Sequence, residues 1–144
     1  MPAAINSYLM ERGQAPLQAP AAFARCIMES LVLRYREVFQ QISQLTGVII
    51  NQVHILGGDA HNVQLNQWLA DALDVPVIAG PTEAMAYGNA LMQLVGLGEL
   101  HSQEEVRAFA QKAPTQVFSQ RTAQLAEWRE AAQRFSTMTD AYIQ

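Results

Sequence analysis

The residues best suited to chemistry fall in one short run, His54-Ile55-Leu56-Gly57-Gly58-Asp59-Ala60-His61-Asn62, where an apolar stretch enters a glycine pair and then a helical pattern. Lacking side chains, Gly57 and Gly58 let a flat ring or a sugar lie against the main chain. The first N–H groups of a helix have no partner within it, and here they point back toward the end of the strand. Asn62, in the first turn, offers a donor and an acceptor to a nucleobase or a ribose. A second run, Ala79-Gly80-Pro81-Thr82-Glu83-Ala84, repeats the strand-to-helix form, and two such turns on adjacent strands can wall one pocket. Glu83 reads as an acidic residue at a helix N-terminus, favoured there by the dipole. Neither run has the spacing of GxGxxG or GxxxxGK(S/T), which excludes a dinucleotide fingerprint and a P-loop.

Other reactive side chains have simpler readings. Asp71, Asp74 and Asp140 read as solvated helix or turn residues. His54 reads as a satisfied histidine on a buried strand, His61 as a residue of the pocket rim and His101 as a surface residue. The three histidines lack metal-ligand spacing, so no metal site is expected. Cys26 is the sole cysteine, which excludes an internal disulfide, and it reads as a small core residue of an apolar helix. No residue of this chain is assigned as catalytic.

The elements that must hold the glycine turns follow from periodicity. From Ala21, the residues Phe23, Ile27, Leu31, Tyr35, Val38, Ile42 and Leu45 recur at helical spacing, with Gly47 placed to end the helix. Met28, Val32 and Phe39 add a second stripe, so this helix is expected to pack between other elements. Val53-His54-Ile55-Leu56 reads as a buried strand, followed by a helix from about Ala60 to Leu73 with Leu65, Leu69, Ala72 and Leu73 inward. Val75-Pro76-Val77-Ile78-Ala79 is a second strand, whose proline suits an edge or a first-residue position. A third helix is expected from about Glu83 to Val95, capped by Thr82 and ended by Gly96 and Gly98. Its small residues Ala84, Ala86, Gly88 and Ala90 permit close packing against a neighbour.

This alternation implies an α/β fold with short parallel strands and right-handed crossovers. The last third reads as a helical C-terminal extension that clamps the body. Ser102 to Glu105 has capping-box spacing, Pro114 breaks the chain, and Leu125, Trp128, Ala132 and Phe135 share one helical face. No repeat or linker divides residues 1–144.

With 144 residues and 50% apolar composition the chain can bury a core. Thirteen acidic groups against nine basic ones, a net charge of −4, leave no broad basic face for nucleic acid. No apolar run suits a signal peptide or a membrane span, so a cytoplasmic location without membrane partners is expected. One domain of this size supplies one wall of an interdomain cleft.

Several motifs in order carry a resemblance. Leu56 to Asn62, then Leu65-Asn66-Gln67, Ala70-Asp71-Ala72, Pro76-Val77, and Ala79 to Ala84 with Gly88-Asn89-Ala90 closely resemble the C-terminal domain of the FGGY carbohydrate kinases. Upstream, Met1 to Ile5, Arg25 to Leu31, Leu33 and Tyr35-Arg36 look most like the branch that phosphorylates L-rhamnulose at its 1-hydroxyl. Family members acting on xylulose, fuculose, gluconate or glycerol are the alternatives, as is a non-catalytic nucleotide-binding or assembly module.

The resemblance implies an actin-like ATPase (ribonuclease H-like) fold of two similar domains. Residues 1–144 would form part of the second, with ATP and Mg2+ as cofactors in the cleft between the two. By carry-over, Gly58 touches the nucleotide, Gly57 shapes the turn and Asn62 lies near the adenine or ribose. Asp59 departs from the small residue often found there; its carboxylate either caps the helix or, turned toward phosphates, weakens ATP binding. In the resembled kinases the catalytic aspartate, the sugar contacts and the phosphate-binding hairpins belong to other stretches, so this chain alone is expected to be inert. A two-strand sheet with open edges and an uncovered helix face also implies self-association, through the first long helix or the Val53 strand.

Overall fold

The computed structural model describes residues 1–140. Its helices are α1 (Pro2–Glu11), α2 (Pro20–Thr46), α3 (Val63–Leu73), α4 (Ala84–Gly96), α5 (Gln103–Ala110) and α6 (Leu125–Asp140); its strands are β1 (Val53–Ile55), β2 (Val77–Ala79) and β3 (Gln116–Phe118). The predicted punctuation is where the helices stop. Gly47 takes a left-handed φ of 67° and its N–H donates to the Ser43 carbonyl, closing α2. Ser102 accepts from the Glu105 N–H at 3.2 Å, while the Glu105 carboxylate reaches back to the His101 N–H at 2.6 Å. The capping box therefore closes one residue earlier than its usual form.

The sheet has the order β1-β2-β3. β1 and β2 are parallel, with Val53 opposite Val77 and Ile55 opposite Ala79. β3 joins β2 antiparallel, with Phe118 opposite Val77 and Gln116 opposite Ala79. This corrects the expectation of a two-strand sheet followed by a wholly helical last third. The apolar residues of β3 are too few to show periodicity, and only the unpaired edge of β2 gives the segment a partner. Pro76 lies just before β2, so its missing N–H falls outside the strand, and its carbonyl accepts the Val53 N–H at 3.0 Å.

The core forms where α2 and α6 pack against α3. Val32, Leu65, Leu69, Leu73, Val77, Phe118 and Trp128 are buried there, with Met28, Phe39 and Phe135 packed around them. On α2 the burial reverses the expected ranking of its two faces. Val32 and its neighbours on the narrower stripe are covered, while Leu31, Tyr35 and Ile42 of the longer stripe are 41–47% exposed and Leu45 is 87% exposed. The small residues of α4 also depart from expectation. Ala86, Gly88 and Ala90 are exposed, a Cβ at Gly88 would meet nothing within 4 Å, and only Leu91 of that helix is buried. Among the described residues no helix is long and apolar enough to cross a membrane.

Candidate functional site

Both glycine turns lie at the carboxyl ends of the parallel strands, where ligands of such sheets bind. They are bonded to each other. The Gly57 N–H donates to the Pro81 carbonyl at 3.1 Å, and the Gly80 N–H donates to the Ile55 carbonyl at 2.8 Å. Gly57 has φ 78° and Gly80 φ 111°, conformations that a side chain strains. Between the first pair and α3 the chain makes a 3-10 turn, Gly57–His61, so the helix starts at Val63 instead of near Ala60. Asn62 is its N-cap, with its Oδ1 accepting from the Leu65 N–H at 3.1 Å, which leaves the Nδ2 amide as the group free to meet a ligand. On the second turn the N-cap is Glu83, and neither it nor the predicted Thr82 supplies a side-chain cap bond.

A cavity of about 300 Å³ opens beside these turns. Ala60, His61 and Val63 line it from the first turn, Ala79, Gly80 and Thr82 from the second, and Pro114, Thr115 and Gln116 from the segment entering β3. Gly58 is exposed, and a Cβ there would meet no atom within 4 Å, so its missing side chain serves no internal packing. At Gly80 the opposite holds. A Cβ would stand 2.7 Å from the Pro114 carbonyl oxygen, so only glycine lets the β3 segment approach. Asn66, fully buried below the turn, donates from Nδ2 to the Ala60 carbonyl at 3.0 Å, and its Oδ1 has no partner among the described residues. Asp59 faces elsewhere. It makes no cap and lines a larger apolar groove of about 460 Å³ between α2 and β1, beside Tyr35, Val38 and Ile42.

Two side chains correct the sequence reading. His54 is exposed, 3.0 Å from the Gln52 amide, because β1 is an edge strand whose alternation turns Val53 and Ile55 toward the core and His54 away from it. Asp71 is not solvated but fully buried. Its Oδ1 accepts from the Arg121 N–H at 2.8 Å and the Gln67 amide at 3.1 Å, while its Oδ2 takes the Arg121 guanidinium at 2.6 Å. The bond to Asp71 raises the Arg121 pKa further above its usual value. On α2, burial lowers the pKa of Arg36, whose Nη1 donates to the Ala72 carbonyl of α3. Asp74 is the exposed turn residue expected, with φ 61° and Arg129 at 3.3 Å. Cys26 is half-buried on α2, His101 is exposed, and the side chain of Asp140 lies outside the described residues. Among the described residues no three His, Cys, Asp or Glu side chains converge to hold a metal ion.

Sequence reasoning missed Thr115 and Gln116, because their place beside the turns depends on the β2-β3 pairing. A signal for Asp71 was present: a carboxylate between Ala70 and Ala72 on an inward-facing stretch of helix needs a buried partner.

The profile of the FGGY family of carbohydrate kinases, C-terminal domain, matches residues 1–97. Rhamnulokinase of Pectobacterium atrosepticum is 46% identical over 95 residues, covering 66% of this chain and 19% of that protein. Rhamnulokinase of Bacteroides thetaiotaomicron is 41% identical over 99 residues, 69% of this chain and 20% of that protein. The rhamnulokinase of Enterococcus faecalis is 38% identical over 117 residues, 79% of this chain and 24% of its own length. The chain thus matches about a fifth of the length of the curated relatives. With the profile spanning both glycine turns, the chain belongs to the FGGY family of carbohydrate kinases, by its C-terminal domain.

Proposed function

We propose that residues 1–144 form part of the nucleotide-binding domain of a cytoplasmic kinase that transfers phosphate from ATP to the 1-hydroxyl of L-rhamnulose. The observation that carries this is the pair of bonded glycine turns at the strand ends, with open space over Gly58, in a chain similar to rhamnulokinases along most of its length. In this reading Gly58 lets the nucleotide rest on the main chain, Gly57 sets the turn, and the Asn62 Nδ2 donates to the ribose or base. Asp59 lines the apolar groove and not this cavity, which favours the reading in which its carboxylate does not oppose the phosphates. ATP supplies the transferred phosphoryl group, with magnesium balancing its charge. The chain alone binds without turnover.

Two measurements test this. Titration with ADP should give binding heat and a raised Tm at millimolar nucleotide; neither response would count against the nucleotide site. A protein in which this chain is joined to the sugar domain and phosphate hairpins of a relative should release ADP on addition of L-rhamnulose. Release with xylulose, fuculose, gluconate or glycerol instead would move the assignment to another member of the family.

A further inference from the structure

The segment after the family match builds part of the cavity beside the glycine turns. The profile ends at residue 97, yet Pro114, Thr115 and Gln116 line that cavity opposite His61 and Thr82. Three independent features hold the segment there. Gln116 pairs with Ala79 in the β2-β3 ladder, Gly80 admits the Pro114 carbonyl where a Cβ would clash at 2.7 Å, and buried Asp71 holds both the main chain and the guanidinium of Arg121. A wall fixed by a ladder, a close backbone approach and an ion pair to a buried carboxylate keeps its shape without a ligand, which lowers the cost of binding.

The lining also defines the ligand's chemistry. It contains no lysine or arginine, and His61 is its one titratable side chain, so it offers no fixed cationic side chain to a phosphate. Thr82, Thr115 and Gln116 are neutral and carry donors and acceptors, which matches the hydroxyls of a ribose and the edge of a base. We propose that this cavity takes the nucleoside part of the nucleotide and that Thr115 and Gln116, contributed by the C-terminal extension, are binding residues for it. The inference rests on the nucleotide reading above and adds to it residues that lie beyond the family match.

Amide NMR spectra of the 144-residue chain titrated separately with ADP, adenosine and pyrophosphate test it. ADP and adenosine should both move the amides of Thr115 and Gln116 together with those of Gly58 and His61, and pyrophosphate should leave Thr115 and Gln116 unmoved. Gln116→Ala should weaken ADP binding about fivefold, the loss of one neutral hydrogen bond, with Tm unchanged. Movement at Gly58 and His61 without movement at Thr115 and Gln116 would overturn the inference and leave the nucleotide reading standing. Pyrophosphate moving Thr115 and Gln116 as ADP does would overturn the nucleoside assignment. No movement with any of the three would overturn the nucleotide reading, and this inference with it.

Discussion

Glycine does two different jobs within the two turns, and substitution separates them. Gly58 has open space where its Cβ would stand and is not held at positive φ, so Gly58→Val should leave stability within about 0.5 kcal/mol while blocking a ligand from the main chain. Calorimetry with ADP, paired with a melting curve, checks this: loss of heat with unchanged Tm is the expected pair. Gly80→Ala should instead destabilise by about 2 kcal/mol or more, because the left-handed φ and the Pro114 carbonyl both oppose a side chain. Asn62 lies between these cases. Asn62→Ala removes the cap of α3 at a cost of about 1 kcal/mol and also removes the Nδ2 donor, so its loss of ADP affinity must be compared at matched stability.

At the scale of elements, a buried carboxylate is one of the ties that hold the C-terminal extension, beside the β2-β3 ladder and the packing of α6. Asp71 sits at 0% exposure and accepts the Arg121 main-chain N–H, the Arg121 guanidinium and the Gln67 amide. Asp71→Ala removes the acceptor of the Arg121 main-chain N–H, while the Gln67 amide keeps the Ser119 carbonyl and the Arg121 guanidinium keeps Gln124, and should cost about 2–3 kcal/mol by urea unfolding. Hydrogen exchange should locate the effect, with β3 amides losing protection before those of α3. Equal loss across both elements would mean that the extension and α3 unfold as one unit. The caps of α2 and α5 were legible because Gly47 and Ser102 act within four residues of sequence. β3 was not, because a three-residue strand exists only when an edge is available to it.

For the molecule as a whole, surface area is the telling quantity. A compact monomer of this mass exposes about 7,400 Å², whereas this chain exposes 9967 Å². The excess exceeds the roughly 800 Å² that each partner buries in an ordinary interface. Much of the apolar share lies on α2 at Leu31, Tyr35, Ile42 and Leu45, next to the apolar groove and the free edge of β1. The isolated chain should therefore self-associate, giving a concentration-dependent mass by light scattering. Leu31→Lys with Ile42→Glu, both on the exposed stripe, should shift it toward monomer without lowering Tm. A clean monomer at high concentration in the unmutated chain would contradict this expectation.

Local sequence by itself determined the C-terminus of α2, the N-terminus of α5, the two parallel strands and the paired glycine turns, since propensity, capping and backbone freedom act over a few residues. It also carried the family, through motifs whose order survives without any knowledge of contacts. Tertiary structure alone decided which face of α2 is covered, that His54 looks outward and Asp71 inward, and that Thr115 and Gln116 stand beside Gly80. Each of these depends on what lies across the chain from the residue: Leu31 and Val32 are equally apolar in sequence, and only the position of α3 buries one and leaves the other bare.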